Sequence, residues 1–258
     1  MRWSVEHGMT VRRSGAGPEV VWLHGLGEQS ASFDAIVEHP LLAGYTHVLP
    51  DLPGYGRSPW PAPDPMGRDS LALLASHLAA WLGDRRPVLV GHSMGGVLAI
   101  LVAERVPVAG VVDVDGNLSR GDCSFSSQAL AYSREDFVAH GFAAMRTRVY
   151  ERGLTEPALR GYHAALVLAC PELFHAHALD LVAASAQETL AGRLAALGVP
   201  TLFVAGVPGG ICARSKALLD AHGVSWTGVE AAGHWPHVDQ PDGFAAAIAP
   251  FLRETARA

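Results

Sequence analysis

Short apolar runs alternate along the chain with longer segments whose hydrophobic residues recur at helical spacing. The leucines at 71, 74, 78 and 82 show that spacing and predict a helix over 70–82. The apolar runs are nearly continuous, as in strands buried on both faces. They predict strands at 20–23, 47–50, 87–90, 108–114, 201–205 and 225–230, a leading hairpin at 2–6 and 10–13, and further helices at 95–105, 214–222 and 244–255.

The alternation of strand and helix predicts an α/β fold with a mostly parallel, doubly wound sheet covered by helices on both faces. Residues 118–190 interrupt the alternation, because they show helical patterns broken by Pro157 and Pro171 and no convincing strand. We interpret this segment as a helical cap or lid over the carboxyl ends of the strands, where such sheets bind ligands. The expected division is a core domain formed by 1–117 and 191–258, with the cap at 118–190.

Composition narrows the functional classes. The chain has 258 residues, of which 49% are hydrophobic and 17% charged, and this excludes a disordered chain. Its net charge is −6, with no basic block, so we expect no nucleic-acid partner. We find no apolar run long enough to span a membrane and no signal-peptide pattern, and we expect a cytoplasmic protein without membrane insertion. Only one of the 19 basic residues, Lys216, is lysine, and this suggests a bacterial genome rich in G and C.

The strongest chemical motif is Gly91-His92-Ser93-Met94-Gly95, which follows a predicted strand and precedes a predicted helix. This is a G-x-S-x-G sequence in the strand–turn–helix context that a nucleophilic serine requires. A sharp turn there lifts the Ser93 hydroxyl out of the sheet, at the positive end of the helix. Ser93 is therefore the predicted nucleophile.

Together with three other blocks, this motif resembles the serine hydrolases of the α/β-hydrolase fold, esterase-like members with a helical cap. The resemblance implies an oxyanion hole formed by the backbone N–H groups of Leu26 and Met94, and a turn-holding role for Asp51. It implies no cofactor and no metal, and a small-molecule substrate as the partner; it leaves the oligomeric state open. The four blocks are 24–27 (HGLG), 51–58 (DLPGYGRS), 91–96 (GHSMGG) and 233–237 (GHWPH).

His234, in the last block, is the predicted general base, since an imidazole is suited to take the proton of a serine hydroxyl near neutral pH. The acid that orients this histidine departs from the common pattern. The family usually places an aspartate where this chain has Gly209. Some members supply the acid after the strand that precedes the cap, and Asp115 at the end of that strand is our prediction. Asp113 lies two residues earlier on the same face and is the second choice.

Several other polar residues lie near these motifs. His92 and His237 are expected to pack or form hydrogen bonds beside the site. A metal site at His234 and His237 is not favoured, because no carboxylate or cysteine cluster accompanies them. His175 and His177 are expected on a solvated helix face. Asn117 could point into the site from the strand end.

The function expected from these residues is hydrolysis of a carboxylic ester, or a thioester, of a small and partly apolar substrate. Ser93 would form an acyl-enzyme, with His234 as base and Asp115 as orienting acid. Cleavage of an amide or carbon–carbon bond is a weaker option within the fold. Two alternatives remain: a cofactor-free lyase or oxygenase that uses His234 as base, and a slow-turnover ligand sensor.

Overall fold

An eight-stranded sheet organises the protein in the computed structural model, which describes residues 1–61 and 70–256. The parts of the predicted core domain at 62–69 and 257–258 lie outside the described residues. The strands are β1 (Arg2–Glu6), β2 (Met9–Gly15), β3 (Glu19–Leu23), β4 (Thr46–Pro50), β5 (Val88–His92), β6 (Gly110–Val114), β7 (Thr201–Gly209) and β8 (Trp226–Gly233).

The α-helices of the described residues are α1 (Asp34–Val37), α2 (Leu71–Leu82), α3 (Met94–Ala103), α4 (Arg134–Asp136), α5 (Phe142–Gly153), α6 (Pro157–Leu166), α7 (Pro171–Ala186), α8 (Leu190–Ala195), α9 (Ala213–His222), α10 (Pro236–Asp239) and α11 (Pro241–Thr255). Short 3-10 turns lie at Ser30–Phe33, Pro40–Leu42, Arg120–Asp122 and Ser126–Ala131, and a π-helical turn at Phe137–Gly141 joins α4 to α5. No helix in the described part of the chain is long and apolar enough to cross a membrane.

The strands lie in the order β1-β2-β4-β3-β5-β6-β7-β8. The pairs β1–β2 and β2–β4 are antiparallel, and every later pair in that order is parallel. The leading hairpin therefore forms one edge of an otherwise parallel sheet. Because the central strands are parallel, their carboxyl ends lie along one edge of the sheet, and that edge carries the candidate site.

Each central strand is buried on both faces by alternating side chains. In β3, Val20 and Trp22 pack into one apolar cluster with α1 and α11, whereas Val21 and Leu23 pack into the other with α2 and α3. This alternation explains why the strands are continuous hydrophobic runs in the sequence. The doubly wound α/β fold is confirmed.

The segment between β6 and β7 is helical throughout its regular structure, and no strand is found in its described residues. The two prolines that break its hydrophobic pattern begin helices: Pro157 opens α6 and Pro171 opens α7. Proline suits the first helical turn because the N–H that it lacks has no intrahelical partner there. The division into core and cap remains a prediction.

Candidate active site

The turn between β5 and α3 places Ser93 at the carboxyl edge of the sheet. Its backbone has φ 53° and ψ −118°, in a region that L-residues rarely occupy. The turn is possible because its neighbours are glycines: a Cβ at Gly91 would overlap the carbonyl oxygen of Gly95, and a Cβ at Gly95 would overlap that of Leu23. The strand–turn–helix context predicted from the motif is present, and the strain is held at one polar residue.

The Ser93 hydroxyl donates a hydrogen bond of 3.2 Å to Oδ1 of Asn117. The orientation of this amide is fixed, because its Nδ2 donates to the carbonyl oxygen of Asp122 at 3.0 Å. The Asp122 carboxylate in turn accepts the N–H groups of Leu118 and Ser119 at 3.0 and 3.1 Å. Asn117 is therefore a preset acceptor beside the serine, and it does point into the site.

His234 directly follows β8, and its Nδ1 lies 3.3 Å from Oδ2 of Asp115. The other carboxylate oxygen of Asp115 accepts the N–H of Gly206 at 3.2 Å. Asp115 is fully buried, whereas the His234 side chain is 20% exposed. Burial raises the pKa of Asp115, and the contact with His234 opposes that shift. Since Nδ1 faces the carboxylate, Nε2 is the ring nitrogen left for the serine proton.

The other two positions considered for the acid are Asp113 and Gly209. Asp113 is buried in β6, against the backbone of Gly96 and Gly116. Burial and the charge of Asp115 raise the pKa of Asp113 well above its ordinary range. Gly209 lies in β7 opposite Gly233 of β8. Of the three positions, the structure brings Asp115 to the histidine.

The two predicted oxyanion donors flank the serine. Leu26 lines the same cavity as Ser93 and His234, and Met94 is the first residue of α3. In the part of the chain that the structure describes, no hydrogen bond occupies the N–H of Leu26 or of Met94. Both amides are therefore available to an incoming oxygen, as an oxyanion hole requires.

Three aromatic rings enclose the cavity at Ser93. Phe125 and Tyr162 come from the predicted cap and Trp235 from the loop after His234; their centroids lie 5.2 to 5.4 Å apart in all three pairings. The cavity beneath them has a volume of about 20 Å³, room for about one water molecule. A larger groove of about 540 Å³ opens on the exposed side of His234.

Sequence reasoning missed Glu28 and misjudged two histidines. Glu28 is a buried carboxylate beside the cavity, and no motif that we considered included it. His175 and His177 were expected on a solvated face, and this is wrong: both are buried in α7. His177 Nδ1 lies 2.8 Å from the hydroxyl of Tyr55, and burial lowers the pKa of His177 to about 4. The hydrogen bond between this histidine and the tyrosine hydroxyl thus joins α7 to the 51–58 loop.

The structure also shows the contacts of Asp51 and His237, for which the sequence predicted a turn-holding role and a packing role. The Asp51 carboxylate accepts the N–H groups of Ser30 and Arg57 at 2.7 and 2.9 Å, so Asp51 does hold its turn. His237 is buried and packs against Phe33. Within residues 1–61 and 70–256, no group of three or more histidine, cysteine, aspartate or glutamate side chains is placed to hold a metal ion.

Comparison with known proteins agrees with this fold and motif set. The profile of the alpha/beta hydrolase family matches residues 20–247, and the chain belongs to that family. A pimeloyl-[acyl-carrier protein] methyl ester esterase of Edwardsiella ictaluri is 30% identical over 257 residues, which cover 92% of this chain and 94% of that protein. The magnesium-chelatase 30 kDa subunit of Rhodobacter capsulatus is 29% identical over 202 residues, covering 74% and 70%.

Solved structures share the architecture. A thermophilic esterase from Thermogutta terrifontis, with malate bound, superposes with a TM-score of 0.79 at 21% identity, covering 99% of this chain and all of that one. At this level of identity the likeness concerns the fold.

Proposed function

We propose that the protein is a carboxylic ester hydrolase, active on esters or thioesters, that works through an acyl-enzyme on Ser93. The observation that carries the proposal is the convergence of Ser93 and His234 on one cavity, with Asp115 behind the histidine at 3.3 Å. These residues come from three separate strand ends. Membership of the alpha/beta hydrolase family and the esterase among the relatives support the same reaction class.

The proposed reaction has two halves. In the first, Ser93 Oγ attacks the carbonyl carbon while its proton passes to Nε2 of His234, and the carbonyl oxygen takes hydrogen bonds from the N–H groups of Leu26 and Met94. The bond to the alcohol or thiol then breaks, and the proton on His234 goes to that leaving group. In the second half, water attacks the acyl group by the same route, which releases the acid and restores Ser93. Asp115 keeps the proton of the neutral imidazole on Nδ1 throughout. The proposed reaction uses no cofactor.

Before attack, the serine hydroxyl must leave its bond to Asn117 and turn toward His234. That bond is 3.2 Å long, at the weak end for a hydroxyl donor. The carbonyl group of a substrate at the oxyanion amides would occupy the space around Ser93 and favour this rotation. Asn117 therefore holds the resting position of the nucleophile.

The substrate is proposed to be small and partly apolar. A cavity of about 20 Å³ admits no substrate until the aromatic rings at 125, 162 and 235 separate. Behind Tyr162 and Trp235 lies a groove of about 330 Å³ with alanines at 31, 35, 158 and 165 in its wall, suited to an apolar group. The groove on the other side, near His234, contains Arg152 and Asp239 and suits a polar group.

The test is covalent labelling. A fluorophosphonate should add once, on Ser93, as measured by intact mass and peptide mapping, and Ser93→Ala should lose both the adduct and ester turnover while its circular dichroism stays that of the wild type. A panel of ester and thioester substrates of graded chain length then defines the acyl group. Absence of an adduct, or an Ser93→Ala variant that still turns over esters, would refute the proposal. Turnover without an acyl-enzyme would instead favour the lyase or oxygenase alternative. Tight ligand binding with slow hydrolysis would favour the ligand sensor.

A further inference from the structure

A buried charged pair, Glu28 and His92, lies directly behind the main chain of His234. Glu28 follows the loop after β3, and His92 is the last residue of β5, immediately before Ser93. The two side chains are 3% and 0% exposed. Neither has a part in the reaction steps proposed above, and burying a charged pair is costly unless both partners are fully hydrogen-bonded.

Both ring nitrogens of His92 lie close to acceptor oxygens, and within the described residues Nε2 forms a hydrogen bond whereas Nδ1 makes an ion-pair contact only. Its Nδ1 lies 2.9 Å from Oε1 of Glu28, and its Nε2 lies 2.7 Å from the backbone carbonyl oxygen of His234. A carbonyl oxygen has no proton to give, and neither has an ionised carboxylate. A neutral imidazole carries a single N–H, and at Nε2 the contact with the carbonyl oxygen uses it. The carboxylate 2.9 Å from Nδ1 favours a second proton there, and therefore the positively charged form of His92.

Glu28 gathers donors from three of the four sequence blocks. Besides His92 of the serine block, its carboxylate accepts the N–H of Gly25 at 3.0 Å from the oxyanion block. It also accepts Nε1 of Trp235 at 2.6 Å from the block of the catalytic histidine. A single buried carboxylate thus connects the loops that carry the oxyanion donor, the nucleophile and the base.

The surrounding charges support this assignment. Burial is the largest single influence on the pKa of His92 and lowers it, but the charge and contact of Glu28, the carbonyl group of His234 and the charge of Asp115 together outweigh burial, and the pKa is raised. The ring of His237 lies 4.7 Å from that of His92, and burial together with the charge of His92 lowers the pKa of His237 well below its ordinary value. The ring of His234 lies 4.8 Å away on the other side. Among these neighbours, His92 is the one held as a cation.

We infer that Glu28 and His92 form a buried charged clamp that fixes the main chain of His234, and that both are positioning residues for the reaction. The inference rests on the proposed function for its effect on turnover. The carbonyl group that His92 holds belongs to the catalytic histidine itself, so its release moves the imidazole relative to Ser93 and Asp115. Displacements of about 1 Å at such sites cost on the order of 100-fold in rate.

The first measurement tests the clamp without activity. Nitrogen-15 NMR of histidine side chains in the wild-type protein should show both ring nitrogens of His92 protonated at pH 7, and Glu28→Gln should remove one of the two protons. A neutral His92 at pH 7 in the wild type would overturn the inference. This result does not depend on any substrate, so it separates failure of the clamp from failure of the proposed function, which the fluorophosphonate test decides.

The second measurement is kinetic. Glu28→Gln and His92→Leu should each lower kcat roughly 10- to 100-fold with KM within about threefold. His92→Gln should lose less than His92→Leu, because its amide N–H can still reach the carbonyl oxygen of His234. The double variant Glu28→Gln/His92→Gln removes both charges together, which keeps the test available if Glu28→Gln alone does not fold. It should resemble His92→Gln, since the two effects are coupled.

The pH dependence gives a third readout. In the wild type the clamp is present below the raised pKa of His92 and is lost above it. Without the charge of Glu28, burial lowers that pKa, so the alkaline limb of the kcat profile should move to lower pH in Glu28→Gln. The matched control is Glu6→Gln in β1, where a carboxylate likewise accepts a tryptophan Nε1 and pairs with a cation. The inference would be overturned if Glu28→Gln and His92→Leu fold and show the same kcat and pH profile as Glu6→Gln.

Discussion

Replacement of Asp115 by asparagine exchanges one carboxylate oxygen for an NH₂ group and tests the orientation of the base. Oδ1 of Asp115 accepts the N–H of Gly206 at 3.2 Å, and the amide oxygen of an asparagine can keep that bond. Its NH₂ group is then directed at Nδ1 of His234, which must accept instead of donate. The proton of the neutral imidazole moves to Nε2, the nitrogen that has to receive the proton of Ser93.

The size of the effect follows from the geometry. In serine proteases with the equivalent substitution, kcat falls about 10⁴-fold because the wrong tautomer is held. Here the distance from Nδ1 to Oδ2 is 3.3 Å, at the long end for a charge-assisted bond, and the histidine is 20% exposed. We therefore expect a loss of about 10³-fold in kcat, equivalent to about 4 kcal/mol of transition-state stabilisation.

The assay is steady-state hydrolysis of the best ester from the panel, with Asp113→Asn as the matched control. Asp113 is also buried, two residues earlier in the chain and within β6, and burial raises its pKa. An isosteric amide there should change kcat by less than about threefold. Circular dichroism and thermal unfolding of both variants establish that the fold is retained.

Two results would refute this reasoning. If Asp113→Asn lost about 10³-fold and Asp115→Asn did not, the acid would be Asp113. If Asp115→Asn kept wild-type kcat across neutral pH, the histidine would need no orienting carboxylate, and the reaction would run on Ser93 and His234 alone.

Two further predictions concern the fold. Gly95→Ala should lower the free energy of unfolding, measured in urea, by more than about 4 kcal/mol, because the new Cβ would overlap the carbonyl oxygen of Leu23. The control Gly44→Ala has no atom within 4 Å of its Cβ and should change that free energy by less than about 1 kcal/mol. Equal effects of the two substitutions would contradict the turn geometry. The hydrogen bond from Arg13 lowers the pKa of Glu6 from 4.5 to about 2, so Glu6 stabilises the fold above pH 4.5 and loses that contribution as the pH falls toward 2. Glu6→Gln should therefore lower the free energy of unfolding at pH 7 by roughly 1 kcal/mol, after allowance for solvent screening. It should also reduce the loss of stability between pH 4.5 and 2. An unchanged dependence of stability on pH would show that the pair of Glu6 and Arg13 contributes nothing.

The sequence alone was enough to predict the fold class, which the structure confirms, and to single out Ser93 as the candidate nucleophile. Few folds other than a parallel sheet buried on both faces accommodate continuous apolar runs separated by helical patterns. The observed strands follow the predicted ones, with small changes at their ends. Ser93 could be found because its turn needs glycines at fixed positions, and that steric requirement leaves a local signature. The predicted ends of β7 and β8 were short by four and three residues, since the two strands continue together past the edge of the core.

Tertiary structure decided how the remaining polar groups are used. Nothing in the local sequence distinguishes Asp115 from Asp113, because they lie two residues apart at the end of one predicted strand. Only the position of His234, 119 residues after Asp115, separates the carboxylate near the histidine from the carboxylate buried among glycines. Glu28 had no signal in the sequence, because two of its partners, His92 and Trp235, come from β5 and from the loop after β8. A strand or a turn is specified by neighbours in sequence, whereas a buried charge is specified by the groups that fold around it.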